Sequence, residues 1–355
     1  MPLGRSECLG PEERRDFQRY LSSDGSRPRE FYRQHDAIHR SPFLMDRIHK
    51  GGERTEPSAP PTWVINGGIV VLSLIWGSTW LVIRQGLTDL PPLTSAATRF
   101  VLAGAILASI APKLARLEGG ARPSFKLALA YAVLTLAVPY GVIYEVETIL
   151  PSGLVSILWS VYPLILACCA HAFLPDERLG VRQWCGLFAG FGGILLLFAT
   201  EVQALGPEAL PAGLCLLSSP ALCAVGNTVI KRYGGGTSSV LLNRNGNLFG
   251  ALLLVVSAVA LEHDQERSWS TQAIGSILYL ALVGSVLAFS LYYWLLRYAP
   301  ATRMSLLVYG IPLVAVLLGV TLGEEEAGPN TFLGMAAILA GVFLVLTPRT
   351  RKSNG

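Results

Sequence analysis

Two ionisable residues, Arg99 and Glu147, stand in stretches otherwise made almost wholly of apolar side chains. A charge taken into hydrocarbon is costly and normally faces a partner or a water-filled cavity. Arg99 therefore has two readings, an anchor between helices or a cation that attracts solute. Glu147 falls in a short turn after a long apolar run, so it is either a solvated carboxylate at the membrane surface or a site for a proton or cationic solute. Glu145 lies deeper and shares that ambiguity. Asn227, and the run Asn243, Arg244, Asn245 and Asn247, hydrogen-bond either between helices or into a cavity. Trp80, Trp159, Tyr162, Tyr293, Trp294 and Tyr309 together would line an aromatic cavity for flat or apolar solutes. Core packing accounts for any single one of them. His171 reads as an interfacial residue.

Other chemistry is missing from the sequence. There is no G-x-x-x-x-G-K-[ST] phosphate loop, and Gly234, Gly235, Gly236 and Thr237 lack its lysine, so ATP is not expected to drive the chain directly. No H-E-x-x-H helix is present for a zinc protease. Cys168, Cys169, Cys185, Cys215 and Cys223 lie in apolar runs without C-x-x-C spacing and read as small packing residues. No metal and no cofactor are expected.

The elements that must hold these residues are membrane spans. The 355 residues are 52% hydrophobic and 15% charged, far more apolar than a soluble domain. About 20 apolar residues cross a bilayer core, and ten stretches qualify: 64–83, 93–112, 126–145, 149–172, 183–200, 211–230, 238–260, 272–296, 302–322 and 331–347. Ahead of them, residues 1–62 form a polar tail rich in Arg, Asp, Glu, Ser and Pro, for which disorder is the expectation. Its charges nearly cancel, which argues against a nucleic-acid arm. Met45 is a candidate start nearer the first span.

Orientation follows from the positive residues, which favour cytoplasmic connections. With the tail inside, the cytoplasmic connections and C-terminal residues 348–355 carry thirteen Lys and Arg, among them Lys113, Arg116, Arg178, Lys231 and Arg297. The opposite connections carry two, Arg84 and Arg267, among many acids. Both termini are expected in the cytoplasm of a cell with this chain in its inner (cell) membrane.

The second half repeats the first. At an offset of 149, Pro151, Ser156, Pro163 and Leu164 fall on Pro300, Ser305, Pro312 and Leu313. At 148, Glu177, Gly186 and Gly193 fall on Glu325, Gly334 and Gly341, and at 147 Val82, Ile83 and Arg84 fall on Val229, Ile230 and Lys231. Five spans per half is odd, so the second half must enter the membrane upside down, as transporter halves do. The expected fold is all-α and integral to the membrane, ten transmembrane helices in two inverted five-helix repeats, 63–200 and 211–347. Pro163 and Pro312 then sit at equivalent points of the fourth and ninth spans. Each removes a helical hydrogen bond, and groups freed at membrane depth survive only against protein or a wet cavity. They are expected to kink their helices beside a midplane site and take part in gating. Glu177 and Glu325 are explained by interaction with a helix N-terminus, and Gly186 with Gly190 as a small-xxx-small contact.

These residues carry a family resemblance. "WGSTWLVIRQGLTDLPPLTSAATRFVLAG", Trp76 to Gly104, closely resembles the opening of the EamA family of the drug/metabolite transporter superfamily. "LYYWLLRYAPATRMSLLVYGIPLVAVLLGVTLGEE", Leu291 to Glu325, resembles the signature of its second unit. The resemblance covers 63–347. It implies ten helices, cytoplasmic termini and alternating-access export of small organic metabolites, amino acids or drugs. "ETILPSG", Glu147 to Gly153, resembles the E-Q-Y-x-P-S-G stretch of one subgroup, with Thr148 and Ile149 in place of Gln and Tyr. The sixth span departs from its signature around Ser218 to Asn227, so substrate contacts there are expected to differ.

The expected function is that of a secondary-active transporter in the lipid bilayer with a small-molecule substrate, coupled to protons, to exchange or to a downhill gradient. A membrane sensor or an intramembrane enzyme is the alternative, since fold alone does not fix function.

Overall fold

The computed structural model describes residues 60–118, 120–173, 179–298, 304 and 306–346. Most of the polar tail, Glu177, Pro300 and the C-terminal residues 347–355 lie outside the described residues. Among the described residues ten helices follow in order: α1 (Thr62–Gly86), α2 (Pro92–Glu118), α3 (Phe125–Val146), α4 (Ser152–Phe173), α5 (Val181–Val202), α6 (Ala209–Tyr233), α7 (Ser239–Leu261), α8 (Thr271–Ala281, Leu282–Leu287 and Ala288–Tyr298), α9 (Leu306–Leu322) and α10 (Pro329–Leu346). Among the described residues nine are long and apolar enough to cross a membrane, and the tenth is the shorter apolar helix at Leu307–Leu322. The chain is an all-α membrane protein of about ten helices.

Local chemistry fixes where the helices begin. Ser124, Ser238 and Ser270 accept hydrogen bonds from the amides of Leu127, Leu241 and Ala273 and cap α3, α7 and α8. Prolines open α2 and α10, where a missing N–H costs nothing. The 149–172 stretch becomes helix only from Ser152, because Glu147 ends α3 and Pro151 precedes α4.

The two halves are laced together by reciprocal contacts. Glu118, at the end of α2, accepts hydrogen bonds from the Ser238 hydroxyl at 2.5 Å, the Ser239 amide and hydroxyl, and the Val240 amide at the start of α7. Glu262, just past α7, accepts from the Leu93 and Thr94 amides at 2.6 and 2.7 Å and from the Thr94 hydroxyl, at the start of α2. Thr94 and Glu118 lie 144 positions before Ser238 and Glu262, so each half caps the other's helix with the equivalent carboxylate. Helices α2 and α7 therefore run antiparallel.

Small residues do the same for α5 and α10. A Cβ on Gly186 would lie 2.7 Å from the Gly341 carbonyl oxygen, and one on Gly193 would lie 2.8 Å from that of Gly334. The glycines that align in the sequence thus pack crosswise in space. In the same spirit, α1 packs on α9 while α6 packs on α4.

A further pairing lies in α3 and α8. Each contains a π-helical segment, Ala132–Ala137 and Leu282–Leu287, at an offset of 150. Such bulges free backbone groups inside a helix and re-aim side chains.

Candidate functional site

The aromatic residues named from the sequence converge in part. Trp80 of α1 lies 6.3 Å from Trp159 of α4, whose ring stacks on Tyr162 at 5.2 Å and 16°. Polar atoms of α6 complete the group. Trp159 Nε1 donates to Ser219 Oγ at 3.1 Å, and Asn227 Nδ2 donates to the Tyr162 hydroxyl at 2.8 Å and to the Cys223 carbonyl at 3.0 Å. Trp159, Tyr162 and Asn227 keep partial exposure within the bundle. Tyr309 of α9 is half-buried against the same core. The side chains of Tyr293 and Trp294 lie outside the described residues.

The proline pair behaves unequally. Helix α4 is interrupted between Ser152–Trp159 and Tyr162–Phe173, with Pro163 at the second residue of the second piece. Helix α9 runs from Leu306 to Leu322 without interruption through Pro312. The break in α4 lies between Trp159 and Tyr162, so those two rings end one helical piece and begin the next.

Arg99 lies in α2 and is 2% exposed. Its Nε donates to Ser285 Oγ at 3.2 Å and its Nη1 to the Tyr144 hydroxyl at 3.3 Å. The guanidinium also sits over the Tyr140 and Phe100 rings at 5.2 and 5.3 Å. Ser285 belongs to the π segment of α8, which aims its hydroxyl at Arg99, and Trp76 Nε1 donates to the Gly284 carbonyl in that segment at 3.3 Å. A guanidinium has five N–H donors, and no carboxylate lies within 4.0 Å of this one among the described residues. Anchoring is therefore real, and capacity for a further acceptor remains.

Glu147 overturns the surface reading. It is 1% exposed, and neither carboxylate oxygen has a hydrogen-bond partner. Burial, reinforced by Glu325, holds this carboxyl well above its usual range against the pull of Arg84 and Arg99. The solvated interpretation failed because the turn after α3 folds inward: Arg84 Nη1 of α1 donates to the Leu150 carbonyl at 2.6 Å and the Glu147 carbonyl at 3.5 Å. Glu325 then closes over the turn, accepting from the Ser152 and Gly153 amides at 2.7 and 3.0 Å. Glu325 thus caps the N-terminus of α4, and not that of α10, the last helix of its half, which it precedes in the chain. Beside it a cleft of about 300 Å³ is lined by Leu154, Val316, Val320 and Glu201.

The remaining amides serve packing. Asn247 Nδ2 donates to Asn243 Oδ1 at 2.9 Å, Asn243 Oδ1 accepts from the Tyr131 hydroxyl, and Arg244 bonds its neighbour Asn245. His171 Nδ1 accepts the Leu179 amide at 3.0 Å. No group of three metal-binding side chains exists among the described residues. Sequence reasoning missed Trp76, Ser219, Tyr144, Ser285 and the role of Arg84; the Arg84 position, in the "LVIRQG" motif that repeats weakly at Lys231, was the one available signal.

Chemically these residues supply an aromatic cluster edged by an amide, a buried cation with spare donors, and an unpartnered carboxyl able to hold a proton.

A model of the EamA-like transporter family matches residues 64–199 and 211–347. The uncharacterized inner membrane transporter YedA of Escherichia coli (strain K12) is 29% identical over 290 residues, covering 79% of this chain and 89% of the relative. The uncharacterized transporter YoaV of Bacillus subtilis (strain 168) is 25% identical over 278 residues, 78% of this chain and 94% of the relative. Protein PecM of Dickeya dadantii (strain 3937) is 28% identical over 272 residues, 76% and 88%. A solved crystal structure superposes with a TM-score of 0.57 at 19% identity, over 80% of this chain and 96% of the other, a likeness of fold.

Proposed function

The chain belongs to the EamA-like transporter family, and from that premise we propose that it is a secondary-active transporter exporting small organic metabolites, amino acids or drugs by alternating access. The relatives named as transporters support a membrane transporter. Its termini face the cytoplasm on the charge distribution of the connections. The chamber lies between the halves, walled by Trp80, Trp159, Tyr162 and Asn227, with Tyr309, Tyr293 and Trp294 as further candidates and Pro163 and Pro312 as hinge points.

The observation that carries this reading is Glu147, a carboxyl buried without any hydrogen-bond partner in the turn between α3 and α4. Such a group is stable neutral and becomes stable charged only if its surroundings change. That is the property proton coupling requires. The test compares solutes released by cells that overproduce the protein with those released by cells lacking it, at two external pH values. A released solute whose efflux depends on pH with the native chain and not with Glu147→Gln supports the reading. Unchanged pH dependence removes Glu147 from the coupling.

A further inference from the structure

We infer that Arg84 and Glu325 form the outer latch of the chamber, and that Arg84 is passed between Glu325 and Glu147 when the latch opens and shuts. The inference rests on the carrier reading above and adds the gate to it.

The latch joins α1, the first turn of α4 and the connection between α9 and α10. From α1, Arg84 Nε lies 3.5 Å from Glu325 Oε1, and its Nη1 reaches the Leu150 carbonyl at 2.6 Å. Glu325 comes from the connection between α9 and α10 and holds the first two amides of α4. Breaking this one carboxylate's contacts would untie the α9–α10 connection from α1 and from the first turn of α4, next to the turns that carry Trp80 and Trp159. The backbone is shaped for it. Glu324 has φ of 54°, a left-handed conformation uncommon for a side chain of this kind, and it turns the chain so that Glu325 points back toward α4. Gly153 and Gly319 leave room for the carboxylate: a Cβ on Gly153 would lie 3.4 Å from Glu325 Oε2, and one on Gly319 would strike that oxygen.

The alternative partner is already in place. Glu147 sits in the turn whose carbonyls Arg84 holds, and its two oxygens are unclaimed. The charged and titratable groups that face it are Arg84 on α1, Arg99 on α2, Tyr144 on its own helix, and Glu325. Glu325 takes Arg84 in the shut form, which leaves Glu147 to keep its proton. When Glu325 lets go, Arg84 neutralises a Glu147 carboxylate instead, and the proton leaves to water. Raising pH therefore favours the open latch.

The test uses the full chain in sealed vesicles, with its native cysteines replaced by serine and the buried Ser156 of α4 changed to Cys. The readout is the rate of labelling from the Glu325 face by a membrane-impermeant maleimide. Labelling is expected to be roughly tenfold faster at about pH 8 than at about pH 5. Glu325→Ala should make it fast at both, and Glu147→Gln slow at both. Equal rates with and without Glu325, or a pH response that survives Glu147→Gln, overturn the inference. Because Glu325→Ala also removes a helix cap, Arg84→Gln is the second variant: it leaves Glu325 on the Ser152 and Gly153 amides and removes only the cation passed between the two carboxylates. Labelling should then lose its pH response; a response that survives Arg84→Gln overturns the latch. The readout is conformational, so a chain that opens but moves no solute passes here and fails a transport assay, while a carrier without this latch does the reverse.

Discussion

Gly186 and Gly341 meet backbone to backbone where α5 crosses α10: a Cβ on Gly186 would lie 2.7 Å from the Gly341 carbonyl oxygen, and a Cβ on Gly341 would strike that of Gly186. Neither can carry a side chain without separating the helices. Gly192, on the same helix, has nothing within 4 Å. Gly341→Leu is expected to cost about 1–3 kcal/mol, read as a lower melting temperature in detergent, while Gly192→Leu leaves it unchanged. Equal effects would mean that the crossing adapts.

Glu262 is 1% exposed and satisfies two amides of α2. Removing it leaves buried donors without partners. Glu262→Ala should destabilise the protein by about 1–3 kcal/mol, and hydrogen exchange at Leu93 and Thr94 should rise before that of any other part of α2.

Glu118 carries a pH signature. Its partial burial pushes the carboxyl up, but hydrogen bonds from Ser238 and Ser239 and from the amides of Val240 and Ser239 outweigh it and hold the group below its usual range. A lowered folded value means that its stabilisation is complete above the ordinary carboxylate range and is lost as pH falls below it. Acid should loosen the α2 end next to α7, and Glu118→Gln should lose that response.

Glu147 predicts the opposite slope. Its carboxyl is held well above the usual range by burial, so the folded protein binds more protons than the unfolded one, and stability falls as pH rises from the ordinary carboxylate range upward. Glu147→Gln should match the native chain in acid and exceed it at neutral pH. A native chain with a flat profile would show that Glu147 is charged as folded.

Pro163 sits at the interruption of α4, between the pieces that carry Trp159 and Tyr162. Pro163→Ala should allow α4 to close, slowing the conformational switch more than it weakens solute binding, whereas Pro312→Ala in the uninterrupted α9 should slow it less. Lost binding with normal switching would assign the prolines to the chamber wall instead.

Much of the fold was legible because hydrophobic runs of membrane length leave few alternatives, and because Gly186, Gly193, Gly334 and Gly341 must stay small for α5 to touch α10. The reciprocal capping was hidden. Glu118 and Glu262 are ordinary acids at helix ends until the partner's first turn is in place, and their offset of 144 differs from the 147 to 149 that the other spans show. The π segments at an offset of 150 share no motif: Pro139 follows the first, whereas the second holds Gly284 and Ser285. Glu147 misled for a physical reason. A carboxylate beside a turn is normally wet, and only the inward fold of Arg84 and Glu325 over Leu150 and Ser152 buries it.

The central claim is that one chamber between two inverted halves opens alternately to either side. Counterflow in proteoliposomes tests it most directly, using the labelled form of a solute identified by comparing cellular release. Vesicles preloaded with unlabelled solute should take up the label transiently above its external concentration. Saturable binding of the label with no overshoot would contradict the claim and make the protein a receptor for the solute.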